Sequence, residues 1–170
     1  SSTSRGLGDV YKRQGVIEVK KLNKTGYEAY LVGGCIRDLL LGYAPKDFDI
    51  ATNATPEQIK KALPRSRIIG RRFKLVHYRK GREIIEVATF RTGGNKKATK
   101  SSKGLVLRDN TYGNIQDDAF RRDFKINALY LDIHSMDIID YTGGYKDIEN
   151  RKFPGNIQRE KGRGAKHEVM

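Results

Sequence analysis

The stretch from Leu31 to Ile50, LVGGCIRDLLLGYAPKDFDI, constrains the fold more than any other part of the chain. A short apolar run enters a Gly33-Gly34 pair, a helical pattern runs to Gly42, and Asp47 and Asp49 then alternate with Phe48 and Ile50. That two-residue period predicts a strand with both carboxylates on one face and both apolar side chains on the other. Unpaired, two like charges so close together repel each other, and a bound cation would remove that cost.

The flanking sequence predicts the partners of this strand. Val16, Val19 and Leu22, three apart, predict a helix over 16–24, with Gly26 placed to cap its C-terminus. YEAYLV reads as a strand, CIRDLLL as a helix stopped by Gly42, and DFDIAT as the next strand. TPEQIKKAL carries a helix start, with Thr55 as N-cap, Pro56 at the first helical position and Gln58 three residues after the cap. After Pro64, RIIG and FKLVHYRKGREIIEVATFR predict strands, with a hairpin at Lys80-Gly81. Phe120, Phe124 and Ala128, four apart, predict an amphipathic helix that passes into a strand near Leu129. DIIDYTGGYKDI predicts a strand and a Gly-Gly turn. There is no internal repeat. The expected fold class is α+β, a mixed β-sheet flanked by helices.

A chain of 170 residues suits one domain. Of its net charge of +14, +8 falls in residues 15–150, so the basicity is not confined to the ends. A polyanion such as nucleic acid is the partner this charge suits, the other reading being a solvated basic surface. Residues 1–14 lack an initiating Met and any hydrophobic period, and are read as a non-native leader. Residues 151–170 are a patternless basic tail, and 15–150 is the expected domain. Thr92–Gly104, with four lysines and three glycines, is expected to be a mobile loop that touches RNA phosphates or is simply solvated. Cys35 is the sole cysteine, which leaves no intrachain disulfide and suits a reducing cytoplasm. No apolar run approaches the roughly 18 residues of a membrane span.

Several side chains are candidates for chemistry. Glycines between strand and helix let a ligand approach the backbone, and the helix's free N–H groups favour an anion. Arg37, one turn into that helix, is suited to grip phosphate, and Asp38 to a structural pairing. Mg²⁺ takes oxygen ligands, commonly one or two carboxylates plus substrate phosphates, which Asp47 and Asp49 beside such a turn would satisfy. Alone, the two aspartates read equally as solvated surface groups. Glu86 is either a third carboxylate or half of a cross-strand ion pair. Arg91 faces phosphate or solvent. Arg121, Arg122 and Asp123, with Asn127, suit a triphosphate and a ribose hydroxyl, or a surface ion-pair network. His77, His134 and His167 form no ligand spacing.

Together these strings resemble the bacterial poly(A) polymerase and CCA-adding enzyme family, the second class of polymerase-β-like nucleotidyltransferases. LVGGCIRDLLLG…KDFDI resembles its first motif, RRDFKINALY its second and DYTGG its third, over about Tyr27–Asn150. IIGRRFKLVHY, IIEVATFR and LRDNTYGNIQDDAFRRDF look closer to the poly(A) polymerases. The resemblance implies a palm-type catalytic head that adds AMP from ATP to RNA 3′-hydroxyls and releases pyrophosphate. Asp47 and Asp49 would hold two Mg²⁺ ions. Gly33, Gly34, Arg37 and Arg122 would hold the triphosphate, Asp123 the ribose, and Asn127 the sugar or Asp123, with Glu86 a supporting carboxylate. The chain departs from the family beyond Asn150, where a base-selecting neck motif is expected and residues 153–170 do not match. That end reads as truncated or frameshifted. A tRNA CCA-adding enzyme and a non-catalytic basic RNA-binding fragment are the alternatives.

Overall fold

The computed structural model describes residues 15–43, 45, 47–92 and 112–150. Helix α1 (Val16–Lys24) leads into β1 (Ala29–Val32), α2 (Gly34–Leu40) and β2 (Asp49–Thr52). Helix α3 (Pro56–Ala62) precedes β3 (Ser66–Ile69), β4 (Leu75–Lys80) and β5 (Glu83–Thr89). Then follow α4 (Ile115–Phe120), a 3-10 turn (Lys125–Asn127), β6 (Leu129–Asp132), β7 (Asp137–Asp140) and α5 (Gly144–Glu149). The strands form one sheet in the order β3-β4-β5-β2-β1-β6-β7. Only β2 and β5 pair in parallel; the other neighbours are antiparallel. The chain reaches β5 from β2 through α3 and the β3–β4 pair, since parallel neighbours need a crossover. This is the expected α+β arrangement of a mixed sheet flanked by helices.

Register explains where the core and the open face lie. One row runs across all seven strands through Ile68, Val76, Val87, Ile50, Leu31, Leu131 and Ile138. Val19 and Leu22 of α1, Ile36 and Leu39 of α2 and Ile59 of α3 pack in the same core. Burying one such side chain fully contributes about 1.5–3 kcal/mol, so this layer fixes the sheet's orientation. The next row along holds Arg67, His77, Glu86, Asp49, Val32, Tyr130 and Ile139, and points to the other face. There Val32 and Tyr130 pack with Ala51, Phe90 and Ala119 of α4 in a second, smaller core. The middle of the row, His77, Glu86 and Asp49, stays polar. A one-residue slip of β2 would bury Asp49 and expose Ile50.

Local signals account for the helix ends. The Thr55 hydroxyl accepts from the Gln58 N–H at 3.3 Å while Gln58 Oε1 accepts from the Thr55 N–H at 2.9 Å. Losing such a cap costs about 1 kcal/mol. The hairpin between β4 and β5 forms at Lys80-Gly81 as expected, and β6 begins at Leu129.

Three expectations need correction. The amphipathic helix through Phe120, Phe124 and Ala128 does not exist as one element: α4 ends at Phe120, which is 61% exposed. Its buried members are Asp118 and Ala119, and Asn114 caps it by accepting from the Asp117 N–H at 2.8 Å. Phe124 packs against the larger core and Ala128 lies in the smaller one, so their spacing did not mark one helix face. Strand β2 begins at Asp49, leaving Asp47 and Phe48 before it, although Phe48 is buried and Asp47 exposed as the alternation requires. The Gly-Gly turn after β7 opens a helix, α5, that the sequence pattern did not announce. The leader 1–14, the tail 151–170 and the loop 92–104 beyond Thr92 lie outside the described residues.

Candidate active site

The site is built around Asp49, whose backbone pairs with Val32 on one side and Glu86 on the other. A parallel neighbour sits about 5 Å away, which brings the two carboxylates together on one face. Asp49 is open to solvent at the strand end, yet its carboxyl is pushed up from 3.8 to about 6. Desolvation by the surrounding protein is the largest cause, the negative charges of Glu86 and Asp47 add to it, and Arg122 and His77 oppose it. Glu86 makes the cross-strand contact that was one of its two readings. Its Oε2 lies 3.5 Å from His77 Nε2 across the β4–β5 ladder, and it still faces Asp49.

Gly33 borders the same carboxylate. With φ +86 it adopts a conformation that side chains disfavour, and a Cβ there would lie 3.7 Å from Asp49 Oδ2. Helix α2 starts at Gly34, so the first N–H groups of the helix, without intrahelical acceptors, open beside Asp49. Arg37 lies under this turn, within 3.1 Å of a Cβ built on Gly34, and its Nη1 donates to Asn127 Oδ1 at 3.2 Å. Asp38 pairs with Arg37 at 3.1 Å, the structural role expected of it.

The third motif supports the second from below. Asp140 Oδ1 accepts from the N–H groups of Thr142, Gly143 and Gly144, and Oδ2 from that of Tyr145, closing the start of α5. Gly144 lies so close to the 3-10 turn that a Cβ there would meet the Lys125 carbonyl oxygen. DYTGG thus packs against the 3-10 turn whose last residue, Asn127, accepts from Arg37.

Asp118 was not singled out from the sequence, although its spacing of three and four residues from Arg121 and Arg122 is a helix-face ion-pair signal. Its side chain is 1% exposed. Oδ1 accepts from Arg121 Nε at 3.0 Å and the Arg91 N–H at 3.1 Å, and Oδ2 from Arg122 Nη2 at 3.1 Å and the Tyr130 hydroxyl at 2.6 Å. Burial pushes this carboxyl up, but Arg122, Tyr130, Arg121 and the Arg91 N–H together hold it below its ordinary value. Both arginines thus enter an ion-pair network, centred on the buried Asp118 rather than on the surface or on Asp123. Arg122 also lies over the Tyr130 ring, 5.6 Å from its centroid, and is the strongest positive influence on Asp49.

Asp123 follows these arginines on an exposed connection and is not drawn into the Asp118 network. Arg91 faces neither of its expected partners alone: it stacks on Phe73, 5.0 Å from the ring centroid. Cys35 is buried, donates to the Val32 carbonyl, and burial raises its thiol to about 12, so it stays protonated and inert at neutral pH. Among the described residues no group of three or more His, Cys, Asp and Glu side chains is gathered to hold a metal ion. The donor set on offer is Asp47 and Asp49. The carboxylates of Asp47 and Glu86 act on Asp49 from the same side, and such a group of oxygens fits a hard divalent cation completed by phosphate oxygens.

The Asp49 carboxyl sets a stability prediction. Its folded value near 6 exceeds its ordinary 3.8, so without divalent cations it weakens the fold above pH 6 and has no effect below about pH 4. Asp49→Asn is therefore expected to melt higher than the unaltered protein at pH 8, with the gap closing as the pH falls towards 4. Thermal melts in EDTA check this, and a gap that is absent or widens on acidification contradicts it.

Residues 29–153 match the family described as the Poly A polymerase head domain. Poly(A) polymerase I of Haemophilus influenzae is 51% identical over 149 residues, 84% of this chain and 33% of that protein. Poly(A) polymerase I of Escherichia coli O157:H7 is 54% identical over 136 residues, 76% of this chain and 29% of its own. The CCA-adding enzyme of Geobacillus thermodenitrificans is 38% identical over 133 residues, 78% of this chain and 32% of its own. Among solved structures, the Bacillus stearothermophilus CCA-adding enzyme in complex with CTP superimposes with a TM-score of 0.68 at 33% identity, over 82% of this chain and 32% of that one. The chain spans about a third of the length of the curated relatives it matches. With the motifs, the seven-stranded sheet and these matches in agreement, the chain belongs to the poly(A) polymerase head-domain family.

Proposed function

We propose that residues 15–150 are the catalytic head of an RNA 3′-adenylyltransferase, which joins AMP from ATP to an RNA 3′-hydroxyl and releases pyrophosphate. The observation that carries this reading is the convergence of Asp49, Glu86 and the Gly33–Gly34 turn on one open sheet face, with Arg37 beneath the turn. The greater identity to poly(A) polymerase I than to the CCA-adding enzymes supports adenylate as the transferred group.

Asp47 and Asp49 would hold Mg²⁺, which when bound lowers the pKa of the attacking hydroxyl and neutralises the triphosphate. The α2 backbone at Gly33–Gly34 and the Arg37 guanidinium bind and orient the triphosphate, and Asn127 Oδ1 fixes Arg37 by accepting a hydrogen bond from its Nη1. Arg122, held by Asp118, adds positive potential where negative charge collects on the departing pyrophosphate. Asp123, exposed next to it in the chain, would accept from a ribose hydroxyl, and Glu86 would support the Asp49 carboxylate. In bond terms, the RNA 3′-oxygen forms a bond to the α-phosphorus as the bond to the β-phosphate bridge breaks. RNA 3′ ends, ATP and Mg²⁺ are thus the proposed partners, with polyadenylation of cytoplasmic RNA such as mRNA the proposed setting. No helix among the described residues is long and apolar enough to cross a membrane.

Extension of single-stranded RNA with each nucleoside triphosphate supplied separately tests the reading. Adenylate-only tails are expected. Cytidylate followed by adenylate on tRNA ends would favour the second reading, a CCA-adding head, which the CTP-bound structural relative keeps open. No incorporation with retained RNA binding would leave a basic RNA-binding fragment.

A further inference from the structure

The turn between β3 and β4, Gly70–Lys74, carries Arg71, Arg72 and Phe73 into solvent, and Phe73 is 49% exposed. Gly70 fixes its shape: φ is +86 and a Cβ there would meet the Phe73 carbonyl oxygen. The far side of the ring is not left to chance, because the Arg91 guanidinium lies 5.0 Å from the Phe73 centroid and Arg91 Nη2 donates to the Lys74 carbonyl at 3.4 Å. Arg91 also bridges to Tyr112, a second aromatic 41% exposed. Lys74 pairs with Glu57 at 3.4 Å, Asp118 and Glu86 act on Arg91, and Arg71 is exposed at the tip of the turn. His77 on β4 and Glu86 on β5 face each other, while Phe73 and Arg91 lie four and five residues farther along. That places the patch roughly 15 Å from the carboxylates at about 3.3 Å per residue. Glu86, which pairs with Asp49 across β2 and β5, also acts electrostatically on Arg91, so the patch and the carboxylates are within electrostatic reach of each other.

An exposed ring held from behind by a guanidinium, beside a second ring and flanked by cations, matches the needs of unpaired bases on a phosphate backbone. Such bases stack on aromatics whatever their identity, and the cations follow the phosphates. An acidic protein would answer the charge alone, whereas exposed rings set among cations also offer the stacking that unpaired bases use.

We propose that Phe73, Tyr112, Arg91 and Arg71 form a docking surface for single-stranded RNA, holding the strand a few nucleotides upstream of the 3′ end at Asp49. This rests on RNA being the substrate of the proposed reaction, and it predicts base stacking on Phe73 that is independent of nucleotide and metal.

Fluorescence anisotropy with labelled single-stranded oligoadenylate in EDTA tests it. Phe73→Ala is expected to weaken binding roughly 5-fold or more, while Phe73→Tyr, which keeps the ring, stays within about twofold. Inorganic polyphosphate, which has charge but no bases, should bind unaltered protein and Phe73→Ala alike. Unchanged RNA affinity in Phe73→Ala overturns the proposal, as does equal weakening towards polyphosphate or no RNA binding by the unaltered chain. Adenylate incorporation is measured in parallel on the unaltered chain. Binding with the expected Phe73 dependence but no incorporation would refute the proposed reaction and leave this surface standing.

Discussion

Replacing Asp47 or Asp49 by Ala is expected to lower adenylate incorporation by roughly 10³-fold or more while leaving RNA retention largely intact. The size follows from the chemistry. Oxygen ligands that hold a cation against a transferring phosphoryl group contribute several kcal/mol of transition-state stabilisation, and each 1.36 kcal/mol is tenfold in rate. The retention follows from geometry, because the groups proposed to dock RNA lie in the turn before β4 (Arg71, Phe73), just after β5 (Arg91) and before α4 (Tyr112), away from the β2 carboxylates. Glu86→Gln should fall less, since that carboxylate also pairs with His77 and supports the site rather than forming it. Primer extension alongside filter retention of the same RNA measures both effects. Undiminished incorporation by either Ala variant sinks the assignment of the two aspartates.

Asp118→Ala is the substitution expected to cost the fold most. It would leave Arg121, Arg122, the Tyr130 hydroxyl and the Arg91 N–H facing a buried gap, and breaking such a buried pair costs about 3–5 kcal/mol. For a domain of this size each kcal/mol lowers Tm by roughly 2–4 °C. The acid dependence has a definite sign. Because the folded carboxyl is held below its ordinary 3.8, its stabilisation is complete above that value and is lost as the pH falls through the folded value. Asp118→Asn should therefore melt lower than the unaltered protein at pH 7 and lose less Tm on acidification. Melting curves across that range check it; a pH 7 Tm within a degree of the unaltered protein would show that the network is not stabilising.

These two predictions divide at the limit of what the sequence could say. Asp47-Phe48-Asp49-Ile50 declared its own geometry, since alternation is a property of the chain and each side chain took the face its polarity requires. The Thr55 cap and the Lys80-Gly81 hairpin were legible for the same local reason. The pairing of β2 with β5 was not, because the 33 residues from Asn53 to Ile85 lie between the last paired residue of β2, Thr52, and the first of β5, Glu86, and nothing local encodes a parallel register. Asp118 illustrates the same limit: its ion-pair spacing is visible, but its burial depends on Tyr130 arriving from β6 and Arg91 from the segment after β5. Phe120 misled because a four-residue period implies a face only while the helix continues, and α4 stops there. Asp123 and Asn127 share one motif yet part company, one exposed and one bonded to Arg37, since the 3-10 turn between them rotates the chain.

The central claim is that Asp47, Asp49, the Gly33–Gly34 turn and Arg37 form one site for a metal-bound triphosphate. ATP affinity measured by calorimetry with Mg²⁺ and again in EDTA, on the unaltered protein and on Asp49→Asn, tests it most directly. The unaltered protein should bind about tenfold or more tightly with Mg²⁺, and Asp49→Asn should lose that gain while matching the unaltered protein in EDTA. Equal ATP affinity with and without Mg²⁺, or a gain that survives in Asp49→Asn, would contradict it.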